Sequence, residues 1–271
     1  MPQPHALPRR NFSPQADDAN QLGKPVADMI SVCMAVHNGE KFVEAQLQSI
    51  LAQLGNDDEI VVVDDASTDH TSELLGNFKD ARLRILTNRK NVGVLKSFEK
   101  ALREARGDFI FFSDQDDLWL PGKVNKVLEE FRKTGAHAIV TDAVVVGDDG
   151  KTLYNSYFAW RGSGPGFLKN FYKNTFLGCC MAIRQECRGF LLPFPPLTYM
   201  HDQWMGLACS IVGQVGFLPE PLLIYRRHQW TLTRMQRSAW WWVCKSRLLL
   251  LFSLLYAFPR LMTWRIRLSA G

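Results

Sequence analysis

Apolar positions along the chain fall into two alternating rhythms. Residues 30–36, ISVCMAV, form a continuous apolar run of strand length, and residues 40–53 then place Phe42, Ala45, Leu47, Ile50 and Leu51, with Leu54 just beyond, at largely helical spacing. A second strand is predicted over EIVVVDD (59–65), richer in β-branched residues, followed by ASTDHTSELLGNF, in which Ser67 or Thr68 is suited to cap a helix. RLRILTN (82–88) predicts a third strand, Val94 to Arg106 a third helix, and Phe109 to Phe112 a fourth strand. Strands alternating with helices at this spacing imply right-handed crossovers and an α/β fold with a mostly parallel sheet covered by helices on both faces.

Beyond residue 135 the rhythm changes. AHAIVTDAVVVGDDGKTLYNSYF is expected to form two strands joined by an Asp-Asp-Gly turn, with Asp142 in the first of them either facing a ligand or partly solvated. Trp160 to Pro196 mixes Gly, Pro and aromatics and is expected to be a loop shaping a pocket. Residues 1–28 are polar and Pro-rich, too poor in apolar surface to offset the entropy of ordering, so a disordered leader is expected. Arg9 and Arg10 lack a following apolar segment, which argues against a secretory signal. At 271 residues the chain has room for one large domain plus an appendage.

Charge adds an asymmetry. Basic residues exceed acidic ones by 32 to 27, and after Tyr225 there are nine arginines and lysines and no acid, which points to a local anionic partner. The six cysteines lack paired metal-ligand spacing, and a reduced cytosolic setting is expected.

The candidate chemistry gathers where the fourth strand ends. DFIFFSDQDDLWLP turns from apolar residues to Asp114, Asp116 and Asp117 at the carboxyl end of a predicted parallel strand, the rim where open α/β sheets bind ligands. Three carboxylates there repel one another unless a cation lies between them, and oxygen ligands suit Mg2+ or Mn2+. The alternative is an Asp-rich helix start ahead of Pro121. Asp64 and Asp65 end the second strand, where a carboxylate can accept a hydrogen bond from a ribose hydroxyl or a pyrimidine N–H, and Asn38-Gly39 after the first strand is a turn that lets backbone approach a ligand.

ISVCMAVHNGEKFVEAQLQSILAQ, DEIVVVDDASTDHT and NVGVLKSFEKALREARGDFIFFSDQDDLWLPGK, in this order and spacing, resemble the nucleotide-sugar domain of family-2 glycosyltransferases, and SDQDDLW is similar to a bacterial, rhamnosyltransferase-like branch that builds surface polysaccharides. The resemblance covers about residues 29–230. It implies a GT-A fold over 29–234, with a nucleotide-sugar half at about 29–121 and an acceptor half at about 122–234; the apolar and basic residues beyond, 235–271, are expected to form a helical tail. It implies a UDP- or dTDP-linked sugar donor, a glycan or lipid-linked acceptor, and no nucleic acid. Residue by residue, it implies that Ala35 and Asn38 line the base and ribose pocket, that Asp65 faces the base, and that Gly93 and Lys96 lie near the diphosphate. Asp114 would face ribose or sugar, Asp116 would ligate Mg2+ or Mn2+, and His228 would complete the ion's shell, with Arg226 and Arg227 reinforcing diphosphate binding. Gly178 would pack near the sugar. In TYMHDQWMGLACSI the family's acidic pair is met only at its second member, so Asp202 is the implied general base and His201 replaces the usual acid; the structural alternative is that Asp202 caps a helix.

Two competing functions remain at this level: a sugar nucleotidyltransferase, disfavoured because no Gly-any-Gly-any-Arg loop follows the first strand, and a catalytically silent nucleotide-sugar-binding scaffold. The tail opens on Trp240, Trp241 and Trp242, and its uncharged run from Leu248 to Pro259 is 12 residues, short of the roughly 20 that cross a bilayer. A tail bound to the cytoplasmic face of the inner membrane without spanning it is therefore expected, the alternative being a helix packed on protein.

Overall fold

The structure, a computed structural model, describes residues 28–227 and 240–269. The expected leader, but for Asp28, and His228 lie outside the described residues.

The first half follows the strand-helix rhythm. In order come β1 (Ile30–Val36), α1 (Val43–Leu51), β2 (Glu59–Asp64), α2 (Thr71–Asn77), β3 (Leu83–Thr87), α3 (Val94–Glu104) and β4 (Phe109–Asp114). The four strands lie side by side as β3-β2-β1-β4, all parallel, with the order reversing between β1 and β4. Every residue of β1 and β2 is buried, which is why both read as unbroken apolar runs.

The second half closes the sheet differently. After β5 (Leu118–Trp119) and α4 (Lys123–Thr134) come β6 (Ala138–Val146), β7 (Thr152–Tyr154), α5 (Tyr157–Arg161), α6 (Phe167–Tyr172), β8 (Met181–Arg184), α7 (Arg188–Leu191), α8 (His201–Val212), β9 (Val215–Arg226) and α9 (Trp240–Ser269). The single nine-stranded sheet continues β4-β8-β6-β9-β5, with β7 on the flank of β6. Strand β8 runs antiparallel to β4 and β6, β9 parallel to β6, and β5 antiparallel to β9. The mostly parallel sheet expected from the sequence is thus the first half of a mixed one. Sequence periodicity specifies which residues are buried and does not specify the direction of the strand beside them.

Two local expectations are corrected. Helix α2 begins at Thr71, with Asp69 accepting its amide at 3.0 Å, while Ser67 turns back to Asp64 and Asn38. The segment expected as a loop, 160–196, carries α6, β8 and α7 between irregular stretches, and Gly162, Gly164 and Gly166, all at positive φ, end one short helix and start the next.

Gly107, just before β4, is where the sheet tolerates no side chain. A Cβ there would lie 2.4 Å from the Ser31 backbone nitrogen. Gly107→Ala is expected to destabilise the fold by about 1–3 kcal/mol, the usual range for overpacking against atoms that cannot yield. Denaturant unfolding checks this, and an unchanged midpoint would contradict it.

Helix α9 packs on the catalytic unit along one face. Leu250, Leu254, Ala257 and Leu261, at helical spacing, are buried, and Gly189 on α7 leaves room for Trp264. Arg247, Arg260 and Arg265 donate to the backbone carbonyls of Tyr172, Leu192 and Ile211. The packed-helix reading of the tail therefore holds for this face. The helix is also long and apolar enough, by length and composition, to cross a membrane. Leu248, Leu251, Phe252, Leu255 and Phe258, off the packed face, are exposed.

Candidate active site at the sheet switch point

The parallel order reverses between β1 and β4, the position where adjacent crossovers leave on opposite faces and open a crevice. Ala35 pairs with Asp114 across that crevice, so the ends of the two strands present HNG and DQDD to it. The two loops are tied together by Gln115, whose side chain accepts from the His37 amide at 2.7 Å and donates to the His37 carbonyl at 3.1 Å. A Cβ on Gly39 would fall 2.7 Å from the Gln115 Oε1, so this approach requires glycine.

Asn38 and Ala66 adopt left-handed backbone, φ 50° and 57°, which costs non-glycine residues of order 1–3 kcal/mol each. The surrounding bonds hold it: the Asn38 amide donates to Ser67 Oγ at 3.0 Å, and its side-chain oxygen accepts from the Thr68 amide at 2.8 Å. Asp65 is buried and accepts from the Gly93 amide at 2.7 Å, the Val92 amide at 2.9 Å and the Asn88 side chain at 2.8 Å. Burial alone would raise its pKa, but these donors outweigh it and hold the carboxyl below its usual range. Three of about four acceptor sites are filled, leaving about one for a ligand donor. Gly93, at φ 88°, ends that loop and starts α3. Lys96 on α3 is paired with Glu99 at 2.7 Å and is more than half exposed.

Beneath the loop lies the acidic cluster. Ligand atoms of Asp114, Asp117 and Cys179 all lie within 4.8 Å of one another. Burial, then Asp116 and Asp202, push Asp114 up to about 7, and burial, then Asp116 and Asp114, hold Asp117 well above the usual carboxylate range. Asp117 Oδ1 accepts from the Arg226 amide at 3.1 Å, a contact made possible because β5 pairs with the end of β9. Its Oδ2 is buried without a partner. An orphaned carboxylate oxygen beside two further carboxylates fits a hard divalent ion. The Cys179 thiol beside them is pushed well above its usual range by burial.

Asp202 sits in the first turn of α8, buried, with Oδ1 accepting from the Gln203 amide at 2.7 Å and Oδ2 from the Asn174 side chain at 3.1 Å. Met200 holds the N-cap position, and the Asp202 carboxylate, one residue into the helix, accepts one of its first-turn amides, that of Gln203. Burial raises its pKa to about 6, the hydrogen bonds opposing. His201, beside it, stacks on Phe98 of α3 with ring centroids 4.3 Å apart, and burial lowers its pKa to about 4, so it is neutral at pH 7. A Cβ on Gly178 would meet His201 Nε2 at 2.5 Å, so Gly178 makes room for the His201-Asp202 turn.

Asp142 is a structural anchor. Its carboxylate accepts from the amides of Ala143 and Phe158 and from the Ser156 hydroxyl, which fixes the start of α5 and leaves, as at Asp65, about one acceptor site. Arg226 and Arg227 lie over the rings of Phe42 and Trp160, at 5.7 and 5.6 Å.

Three contributors escape sequence reasoning. Gln115 occupies the variable middle of the Asp-any-Asp motif, and the role of Gly39 in making room for Gln115 is not legible, although its turn was expected to approach a ligand. Lys123 reads as a surface lysine on α4 and is instead buried, its Nζ donating to the Cys179 carbonyl at 2.9 Å. One signal exists: a lysine in a first turn with no acid opposes the helix dipole.

Comparison with known proteins agrees with this geometry. Residues 31–187, more than half of the chain, match the family profile described as Glycosyl transferase family 2. The chain is 28% identical over 190 residues to UDP-Glc:alpha-D-GlcNAc-diphosphoundecaprenol beta-1,3-glucosyltransferase WfgD of Escherichia coli, covering 66% of this chain and 69% of WfgD. It is 30% identical over 185 residues to the putative teichuronic acid biosynthesis glycosyltransferase TuaG of Bacillus subtilis, covering 66% of this chain and 71% of TuaG. Among solved structures, S. aureus TarS 1-349 in complex with UDP-GlcNAc superposes with a TM-score of 0.66 at 19% identity, over 87% of this chain and 71% of that one. A second structure of S. aureus TarS 1-349 gives 0.59 at 21%, over 73% of this chain and 60% of that one. At such identity the likeness establishes the fold, GT-A with a C-terminal apolar helix appended.

Proposed function

Because the chain belongs to glycosyl transferase family 2, we propose that it transfers a sugar, with inversion and with a divalent ion, from a UDP- or dTDP-linked donor to a glycan or lipid-linked acceptor of a bacterial surface polysaccharide. The single observation that carries this reading is the placement of Asp202, a buried carboxylate shifted to about 6, within electrostatic reach of Asp114 at the sheet rim. One carboxylate faces the donor and the other is poised to accept a proton, the pair that a direct displacement requires. Membership in the family displaces the nucleotidyltransferase reading. Retention of Asp114, Asp116 and Asp202 argues against a silent scaffold.

In this proposal Ala35 and Asn38 floor the base and ribose pocket, and the remaining acceptor site of Asp65 takes a base N–H. Gly93 and Lys96 edge the diphosphate side. Asp114 orients ribose or sugar, and Asp116, with His228, holds Mg2+ or Mn2+. That ion, when bound, offsets the negative charge that builds on the departing diphosphate. Asp202 takes the acceptor hydroxyl's proton as the oxygen attacks the anomeric carbon from the face opposite the leaving group. Rhamnose is one candidate sugar, and the glucosyl donor in the printed name of WfgD is another. The test is release of nucleoside diphosphate across a panel of UDP- and dTDP-sugars with lipid-diphosphate acceptors. Acceptor-dependent release from one donor is expected, and none from any donor would overturn the reading.

We also propose that the protein works on the cytoplasmic face of the inner membrane, with residues 235–271 as the contact. The exposed stripe of α9, the tryptophans at its start and its lack of acids suit an anionic lipid surface. In the full chain, Phe252→Glu/Leu255→Glu is expected to reduce sedimentation with phosphatidylglycerol vesicles severalfold while leaving the thermal midpoint unchanged, because both side chains are exposed. Equal pelleting of the variant and the parent protein would contradict it.

A further inference from the structure

Lys123 is a charge placed where the fold has no structural need of one. It is 1% exposed, sits in the first turn of α4, and spans the space between the two strands' loops: its Nζ is 2.9 Å from the Cys179 carbonyl and 4.6 Å from the centre of the Trp119 ring. The thiol of that same Cys179 lies within 4.8 Å of carboxylate oxygens of Asp114 and Asp117. A buried ammonium is costly unless paired, and a neutral donor would serve the carbonyl equally well. Burial lowers the pKa of Lys123 and the nearby Asp117 and Asp114 oppose that; when protonated it adds a positive charge beside a cluster whose Asp117 Oδ2 has no hydrogen-bond partner.

We propose that Lys123 is a built-in counter-charge to the acidic cluster: it supports the cluster when no ion is bound and limits how tightly the cluster holds a divalent ion. The inference rests on the metal-dependent reading above. Its physical content is a trade. The ammonium favours the ionised forms of Asp114 and Asp117 against the burial and mutual repulsion that raise both, and charges in the buried interior are weakly screened, so it steadies the cluster whenever those carboxyls are ionised. The same charge repels an incoming cation, so the bound ion is held less firmly than three carboxylates alone would hold it. An ion that must accompany a departing nucleoside diphosphate out of the site gains from such weakening, since product release limits turnover in many enzymes.

The directions of the effects separate charge from packing. Lys123→Gln keeps a donor for the Cys179 carbonyl and removes the charge; Lys123→Arg keeps the charge. Binding of Mn2+ alone, followed by titration calorimetry and by the Mn2+ concentration needed to raise the thermal midpoint, is expected to tighten on the order of tenfold in Lys123→Gln and to stay near the parent value in Lys123→Arg. A divalent ion gains twice what one displaced proton gains from the lost charge, so the tightening is largest at high pH, where the ion displaces fewest protons. Without metal, Lys123→Gln is expected to melt lower, and adding Asp117→Asn, which replaces a buried carboxyl of the cluster by a group that cannot ionise, is expected to recover much of that loss. This second arm holds even where the single variant folds poorly. Equal Mn2+ affinity in all three proteins, or a double variant less stable than Lys123→Gln, would overturn the counter-charge proposal and leave the metal reading standing. Absence of Mn2+ binding in every protein, parent included, would overturn both.

Discussion

Asp202→Asn is expected to fold, to bind the donor with nearly unchanged affinity, and to lose about 10²- to 10⁴-fold of its turnover. The size follows from removing a positioned base that matters to the transition state and hardly to the ground state. The substitution is nearly isosteric, and the new side-chain oxygen can still accept from the Gln203 amide. Its nitrogen then faces the Asn174 side-chain N–H that Asp202 Oδ2 now accepts, a mismatch of about 1–3 kcal/mol that a stable domain absorbs. The pH profile gives an independent signature. Asp202 must be ionised to take a proton, and burial raises its pKa to about 6, so the parent enzyme's turnover should rise as pH increases through about 6. The residual activity of Asp202→Asn should lack that acid limb. Retention of more than about a tenth of parental turnover would place the base elsewhere.

Asp116→Ala is expected to abolish transfer and to remove the dependence of donor binding on metal. Asp116 raises the pKa of both Asp114 and Asp117, so it lies in the field that a cation would relieve, and it occupies the motif position that the family resemblance gives to the metal ligand. Calorimetric titration with UDP or dTDP, with and without Mn2+, measures this. The parent should bind more tightly with the ion and the variant should not. Equal affinity for parent and variant in the presence of Mn2+ would sink the assignment.

The parts of this fold that were legible in the sequence are those where burial is two-sided. Strands β1, β2 and β4 declare themselves because both faces are covered, leaving no polar alternation to confuse with a helix. The rim acids follow from the same logic, since carboxylates at the end of a buried strand have nowhere to go but the crevice. The second half was less legible because its strands pair across long separations and in both directions, as when Arg226 is brought to Asp117. Asp142 and Asp202 illustrate the limit. Both are buried aspartates with hydrogen-bond donors around them, and only the structure shows that one is held by the Ser156-Phe158 turn while the other sits within the field of Asp114. His201 was ambiguous for a similar reason: its neighbours Phe98 and Gly178 come from distant elements, and nothing near it in sequence says that it is packed and neutral. The tail reads as apolar in sequence, yet which of its faces meets protein depends on the surface of α8, which periodicity alone does not disclose.

The most direct test of the central claim, a single displacement assisted by Asp202 at the β1/β4 crevice, is proton NMR of the anomeric centre in the product formed from an α-linked nucleoside diphosphate sugar. The account predicts a β-configured product throughout the time course. An α-configured product would require a second displacement, and with it a nucleophile that this account does not assign.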